Sequence, residues 1–163
     1  GKAVAVQESA GKNNAVSPTG VEGIMQVTDK TAQSMIPGSD RADSMQSIIL
    51  GSMYLENMLS NPSFKNNPML ALTAYNGGPG VAQKAVDLAG TTDWNVVKNY
   101  IPAAVMHPDF AKEWKRLKIN PKDKAKEVQE YAEKVVVNVP AFLYSRQDMD
   151  VANALKQQGV LVF

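Results

Sequence analysis

Apolar residues along this chain recur mostly at three- and four-residue spacing, which is typical of amphipathic helices rather than strands. The clearest case is residues 40–59, where a broad apolar stripe runs along the predicted helix. The members of this stripe are Met45, Ile48, Ile49, Met53 and Leu55. Gly51 lies among them and allows a neighbouring backbone to approach closely. We expect this segment to be the central helix of a mainly α fold.

Proline and glycine mark the ends of the next helices. Pro68 predicts a helix start, because proline is tolerated in the first turn, and the run 77–80 stops this helix just after Asn76. Residues 81–89 and 93–101 predict two short helices, each followed by a glycine or a proline.

The two ends of the chain are less regular. Residues 1–9 predict a short helix, although residues 3–6 taken alone also fit a strand. Residues 10–23 are rich in Gly, Asn, Ser and Pro and predict a loop, after which Thr28 or Asp29 caps a helix.

The C-terminal third contains a lysine-rich segment at 103–126, which we predict to be an inserted helical hairpin. Apolar residues at helical spacing over 128–139 then predict a helix that ends at Pro140. A last helix is expected at 148–158, followed by an apolar tail at 160–163.

Composition limits the function classes. With 163 residues and 44% hydrophobic content, we predict a single domain over 1–163. The 17 basic and 16 acidic residues nearly cancel, so charge gives no reason to expect a nucleic-acid partner. Cysteine is absent, and no apolar run approaches the ~20 residues of a membrane span. His107 is the only histidine, so we expect no metal site.

Four short motifs carry the candidate chemistry. They are Gln7-Glu8-Ser9-Ala10, the segment 17–26 with the letters SPTGVEGIMQ, the helical segment 47–55 with the letters SIILGSMYL, and Ala74-Tyr75-Asn76. In this order and with these letters, the chain resembles the soluble, lysozyme-like lytic transglycosylases. The one departure in the helical motif is Ser47, where the family usually carries asparagine.

The resemblance implies a mainly α, lysozyme-like domain of the goose-lysozyme or SLT type, with at most a small β element. It also favours a helix at residues 1–9. A further family helix with the pattern E-x-x-x-Y is matched by Glu127 and Tyr131. The resemblance implies that the Tyr131 hydroxyl faces the catalytic carboxyl, whereas the position of Tyr131 on the apolar stripe fits core burial equally well.

A single carboxylate carries the reaction that the resemblance implies. Glu8 protonates the oxygen between N-acetylmuramic acid and N-acetylglucosamine, and then acts as base on the muramic C6 hydroxyl. That hydroxyl attacks C1 and closes a 1,6-anhydro ring without water. The apolar residues 3–6 before Glu8 would raise its pKa by desolvation. No cofactor is required.

The resemblance also implies the substrate-binding residues. Ser17 orients the 2-acetamido region, and Met25 and Gln26 shape the sugar sites. Asn76 fixes the carboxylate or a sugar hydroxyl, and Tyr75 lies beside it in a mainly structural role. Read without the family, each of these residues fits a turn, a core position or a helix end.

Two alternatives remain open. A hydrolase of the goose-lysozyme kind needs a second carboxylate across a water molecule, for which Glu22 and Asp29 are the candidates. A cell-wall-binding module would hold glycan without cutting it.

We expect peptidoglycan glycan strands as the partner and the periplasm or the cell wall as the place of action. The short lead before Glu8 and the apolar tail indicate a piece of a longer polypeptide, in a virion, a secretion assembly or a periplasmic enzyme. The lysine-rich insertion favours a phage source.

Overall fold

The computed structural model of this protein describes residues 2–10, 25–64 and 67–138, together with Gln157. These residues are mainly helical, with Val27 in an isolated bridge and no extended strand among them. Their α-helices are α1 Lys2–Ser9, α2 Asp29–Met35, α3 Ser44–Leu59, α4 Pro68–Gly77, α5 Pro79–Ala89, α6 Trp94–Val97, α7 Ile101–Val105, α8 Ala111–Arg116 and α9 Pro121–Asn138. Short 3-10 turns lie at Pro62–Phe64, Lys98–Tyr100 and Pro108–Phe110. The prediction of a mainly α fold is confirmed.

The chain divides into two compact units. The first comprises Gly1–Glu56 and Lys134–Phe163, and the second comprises Asn57–Glu133. The prediction of one domain over 1–163 stays a prediction, as does the reading of 103–126 as an insertion.

In the first unit, the predicted helix at the start of the chain is present as α1. The cap of α2 is Thr28, whose hydroxyl accepts a hydrogen bond from the Thr31 N–H at 3.2 Å. Asp29 is therefore the first residue of the helix rather than its cap, in the turn where an acidic side chain suits the helix dipole. Of the predicted loop at 10–23, only Ala10 lies within the described residues, and it forms a turn.

The predicted inner face of α3 is wrong in part. Met45, Ile48 and Ile49 are 65%, 43% and 44% exposed. The buried side consists of Ser47, Leu50, Gly51, Leu55 and Met58. The physical reason is the close packing of Met25 on Gly51, which turns the glycine side of the helix inward and the Ile48–Ile49 edge outward.

In the second unit, α4 is the most completely buried helix, and the central place predicted for α3 stays a prediction. Every residue of Pro68–Tyr75 is buried, as is Gly77. Asn67 caps this helix by accepting from the N–H groups of Met69 at 3.1 Å and Leu70 at 3.4 Å, and Pro68 occupies the first position as predicted.

The predicted end of α5 at Gly90 is confirmed, whereas the predicted helix end at Pro102 is wrong, because Pro102 lies in the first turn of α7. α5 ends at Gly90, which has a φ of 70° in the left-handed region that glycine adopts readily. The helix predicted at 93–101 breaks into α6, a 3-10 turn and the start of α7, with Asp93 accepting from the Asn95 N–H at 3.0 Å as the cap of α6.

The lysine-rich segment 103–126 is largely helical, comprising the end of α7, α8 and the first turns of α9. The Trp114 indole N–H donates to the Val105 carbonyl at 2.7 Å and so ties α8 to α7. α9 buries the described part of the predicted apolar face, which consists of Val128, Tyr131, Ala132, Val135 and Val136. The rest of this prediction, Val139 and the helix end at Pro140, lies outside the described residues. The predicted helix at 148–158 and the tail at 160–163 lie outside the described residues, apart from Gln157, which is helical.

Candidate active site

Glu8 lies in the last turn of α1, one residue before the helix ends. Its side chain is half-buried, while Ala3 and Val4 in the first turns are buried and anchor the helix. The Ser9 hydroxyl donates to the Ala5 carbonyl at 3.1 Å and ties the last turn together. The carboxyl group is thus carried by a fixed backbone in a partly desolvated position, which suits a proton-transferring group.

Met25 is held against α3 within the first unit, and Gln26 follows it in the chain. The Met25 N–H donates to the Ser47 hydroxyl at 3.4 Å, and Ser47 is itself only 1% exposed. A Cβ at Gly51 would overlap the Cβ and Cγ of Met25, so the side chain of Met25 fills the space that this glycine leaves. Ser47, the one departure from the family motif, therefore supplies a hydroxyl that fixes the backbone just before Gln26.

Gln26 has a φ of 51°, in the left-handed region that residues with a Cβ rarely adopt. Holding a residue other than glycine there costs about 1–2 kcal/mol. Strain of this kind concentrates at functional sites, where surrounding contacts impose the backbone conformation. The contacts of Met25 with Ser47 and Gly51 are such constraints, and Gln26 is the side chain whose direction they set.

Asn76 lies in the last turn of α4, next to α9 within the second unit. Gly77 makes this approach close, since a Cβ there would lie 2.8 Å from Cγ1 of Val128. The Asn76 amide nitrogen donates to Oε1 of Glu127 at 3.5 Å, and the ammonium of Lys124 donates to Oε2 of the same carboxylate at 2.9 Å. Lys124 also reaches the Asn76 backbone carbonyl at 3.5 Å.

The oxygen of the Asn76 side-chain amide is in an unusual environment. Oδ1 of Asn76 is buried and has no hydrogen-bond partner among the described residues. Leaving a buried acceptor without a donor costs about 1–3 kcal/mol, so such atoms in native proteins call for an explanation. An acceptor held ready for a ligand N–H or O–H is one.

Tyr75 and Tyr131 are both core residues of the second unit, 7% and 3% exposed. Their burial agrees with a structural role, and each also takes part in a polar or ring interaction. The cleft role of Tyr131 stays a prediction.

The first unit contains Glu8, Met25 and Gln26, and the second contains Tyr75, Asn76 and Tyr131. Ser17, the remaining predicted site residue, lies outside the described residues.

Residues 2–97 match the family described as the Transglycosylase SLT domain. The chain belongs to this family. The match covers more than half of the sequence and includes all four quoted motifs. It confirms the predicted resemblance to lytic transglycosylases with a lysozyme-like domain.

Two curated relatives are also similar to part of this chain. The chain is 40% identical over 109 residues to a protein named membrane-bound lytic murein transglycosylase F 1 from Alkalilimnicola ehrlichii. It is 43% identical over 109 residues to membrane-bound lytic murein transglycosylase F from Actinobacillus succinogenes. In both cases the aligned part is 61% of this chain and 22% of the relative, so the chain spans about a fifth of the relatives' length.

The hydrolase alternative requires a second carboxylate, for which Glu22 and Asp29 are the candidates. Glu22 lies outside the described residues. The Asp29 carboxylate is 68% exposed and lies 3.8 Å from the Arg41 guanidinium, which agrees with an ordinary charged group at a helix start.

Among the residues that the structure describes, no three His, Cys, Asp or Glu side chains cluster as metal ligands would. His107 instead accepts from the Asp109 N–H at 3.2 Å as a cap of the adjoining turn. Of the helices the structure describes, none has both the length and the apolar character that crossing a membrane requires.

Two features of the site were missed by sequence reasoning. Ser47 was noted only as a departure from the motif, although a buried serine at that position needs a partner. Lys124 was grouped with the other lysines of its segment, and no signal in the sequence separates it from them.

Proposed function

We propose that this chain carries the catalytic domain of a peptidoglycan lytic transglycosylase with Glu8 as its only acid and base. Membership of the SLT domain family is the observation that carries the proposal. The names of both relatives support it, since each is called a lytic murein transglycosylase. The substrate is then the glycan strand of peptidoglycan, and the place of action is the periplasm or the cell wall.

The proposed reaction breaks the β-1,4 bond between N-acetylmuramic acid and N-acetylglucosamine. Glu8 donates its proton to the bridging oxygen, so the N-acetylglucosamine part leaves as an alcohol. The substrate's own 2-acetamido oxygen stabilises the positive charge that develops at C1. The Glu8 carboxylate then removes the proton of the C6 hydroxyl, whose oxygen bonds to C1 and closes the 1,6-anhydro ring.

The proposed reaction needs one carboxyl group that acts first as an acid and then as a base, and this group neither gains nor loses a proton overall. The half-buried position of Glu8 at a helix end supports that role. Most glycosidases need a second carboxylate to activate water or to attack C1. The proposed reaction uses the internal hydroxyl instead of water, so it needs no second carboxylate. It is therefore compatible with an Asp29 carboxylate that is paired with Arg41.

We assign the glycan contacts to Ser17, Met25, Gln26, Tyr75, Asn76 and Tyr131. The strained backbone of Gln26 and the buried acceptor of Asn76 support the assignment of these two amides. Both side chains form hydrogen bonds with neutral sugars without adding charge.

The test is digestion of purified peptidoglycan by the wild type, by Glu8→Gln and by the control Asp29→Asn, with mass spectrometry of the released muropeptides. We expect the wild type and Asp29→Asn to release ends lighter by about 18 Da than hydrolysis gives. Glu8→Gln is expected to lose about 10²–10⁴-fold in rate, the range of general acid and base catalysis.

Three other results would contradict the proposal. Reducing ends from the wild type would identify a hydrolase, and a loss in Asp29→Asn equal to that in Glu8→Gln would make Asp29 its second carboxylate. Glycan binding without any release by the wild type would identify a cell-wall-binding module.

A further inference from the structure

Lys124 differs from its neighbours on α9. Its side chain is 14% exposed, whereas Lys122 and Lys126 are exposed. Withdrawing an ammonium group from water is unfavourable unless it gains close partners. Lys124 has two such partners, the carboxylate of Glu127 at 2.9 Å and the backbone carbonyl of Asn76 at 3.5 Å.

Both partners of Lys124 involve Asn76. The carbonyl belongs to Asn76 itself, in the last turn of α4, where the helix dipole favours a cation. The carboxylate of Glu127 accepts through its other oxygen from the Asn76 side-chain amide at 3.5 Å. Lys124 therefore holds the backbone of Asn76 directly and its side chain through Glu127.

This arrangement sets the direction of the amide group. An ionised carboxylate only accepts hydrogen bonds, so the NH₂ side of Asn76 must face Glu127. The opposite rotamer would bring the amide oxygen against the carboxylate, with two acceptors facing each other. The ammonium of Lys124, 2.9 Å from Oε2, holds the Glu127 carboxylate in position. As a result Oδ1 points away from Glu127, where it is buried and has no partner among the described residues.

We infer that Lys124 is a positioning residue, which acts through Glu127 to present the Asn76 amide oxygen as an acceptor for an acetamido N–H or a hydroxyl of the glycan. The inference rests on the proposed function, since it takes an amino-sugar chain as the ligand. It concerns binding rather than proton transfer, so a loss of Lys124 raises KM and leaves kcat nearly unchanged.

The first experiment measures binding of tri-N-acetylchitotriose, a glycan probe without muramic acid, by isothermal titration calorimetry. Lys124→Met keeps the aliphatic stem and removes the charge, and Lys126→Met makes the same change at an exposed site on the same helix. We expect Kd to rise about fivefold to tenfold in Lys124→Met, the equivalent of one hydrogen bond, and to stay within about twofold in Lys126→Met.

Glu127→Gln provides a second variant that retains side-chain size. It is expected to weaken binding as Lys124→Met does, because it removes the charge that orients the amide. A purely structural lysine would weaken binding independently of Asn76. We therefore expect the double variant Lys124→Met with Asn76→Ala to bind no more weakly than Asn76→Ala alone.

The side-chain amide of Asn76 gives a readout that does not depend on ligand. In ¹⁵N–¹H spectra its NH₂ signals are identified by their absence in Asn76→Ala. We expect these signals to move in Lys124→Met and Glu127→Gln and to stay in place in Lys126→Met. The remaining backbone signals report whether each variant is folded.

The outcomes separate this inference from the proposed function. If the wild type cleaves peptidoglycan but Lys124→Met binds the probe normally, or the two losses add, the positioning role is wrong and the function stands. If the binding losses and amide shifts appear but no anhydro ends form, the positioning role stands and the function is wrong. A wild type that does not bind the probe overturns the positioning role.

Discussion

The side chain of Met25 occupies the space that a Cβ at Gly51 would need. A methyl group added there would overlap the Cβ and Cγ of Met25. This contact fixes which side of α3 is buried, and the hydrogen bond from the Met25 N–H to Ser47 reinforces it. Gly51 and Met25 belong to two separate motifs of the sequence, and their contact fixes the backbone immediately before Gln26.

Gly51→Ala is expected to destabilise the chain by about 1–3 kcal/mol through overpacking. At an open helix position the same change would stabilise by about 1 kcal/mol, since alanine is the better helix former. Urea unfolding followed by circular dichroism measures the difference. A gain in stability would show that Met25 does not pack on Gly51. The partner change Met25→Gly removes both the Cβ and the Cγ that overlap, so it should reduce the cost of Gly51→Ala.

Gly77 and Val128 have the same relationship in the second unit. A Cβ at Gly77 would lie 2.8 Å from Cγ1 and 3.1 Å from Cγ2 of Val128. We expect Gly77→Ala to cost about 1–3 kcal/mol and to weaken glycan binding, because it moves the neighbouring Asn76 away from Glu127.

The matched control for Gly77 is Gly80→Ala, whose added Cβ would lie 3.3 Å from Cε1 of Phe110, a contact that a small ring movement relieves. It should be close to neutral. In a Val128→Ala background, Gly77→Ala should lose most of its cost. Equal costs in both backgrounds would mean that the two residues do not touch.

The helix ends were predictable because their signals are local. Thr28, Pro68 and Gly90 act on backbone groups within four residues, so their effects can be read from neighbouring letters. The inner face of α3 was not predictable in the same way. Its apolar residues lie on both sides of the helix, and the choice between them depends on Met25, a residue far away along the chain.

The site shows the same limit. The motifs identified Glu8, Gln26 and Asn76 as candidates, since their spacing in the family is a sequence property. The contact of Lys124 with the Asn76 carbonyl joins residues 48 positions apart, and it arises from the packing of α9 on the end of α4. Nothing in the letters distinguishes that lysine from Lys126.

Gln26 offers a test of backbone strain. Because its φ is 51°, Gln26→Gly should be more stable than Gln26→Ala by about 1 kcal/mol, as glycine adopts this conformation without a steric penalty. Both variants lose the amide, so both should lose glycan binding. At Gln83, inside α5, the order should reverse because alanine favours the helix by about 1 kcal/mol. The same order at both positions would contradict the left-handed backbone.

Tyr54, in the family motif on α3, links burial to alkaline stability. Burial raises the pKa of its phenol above the ordinary value of 10.0. The folded chain therefore keeps this proton at a pH where the unfolded chain releases it. The resulting contribution to the free energy of unfolding is complete below pH about 10 and is lost as the pH rises through the raised pKa. Tyr54→Phe should flatten that decline in urea unfolding, whereas Tyr100→Phe, at a tyrosine 40% exposed, should leave it unchanged. An identical decline in the wild type and Tyr54→Phe would show that this phenol is not desolvated.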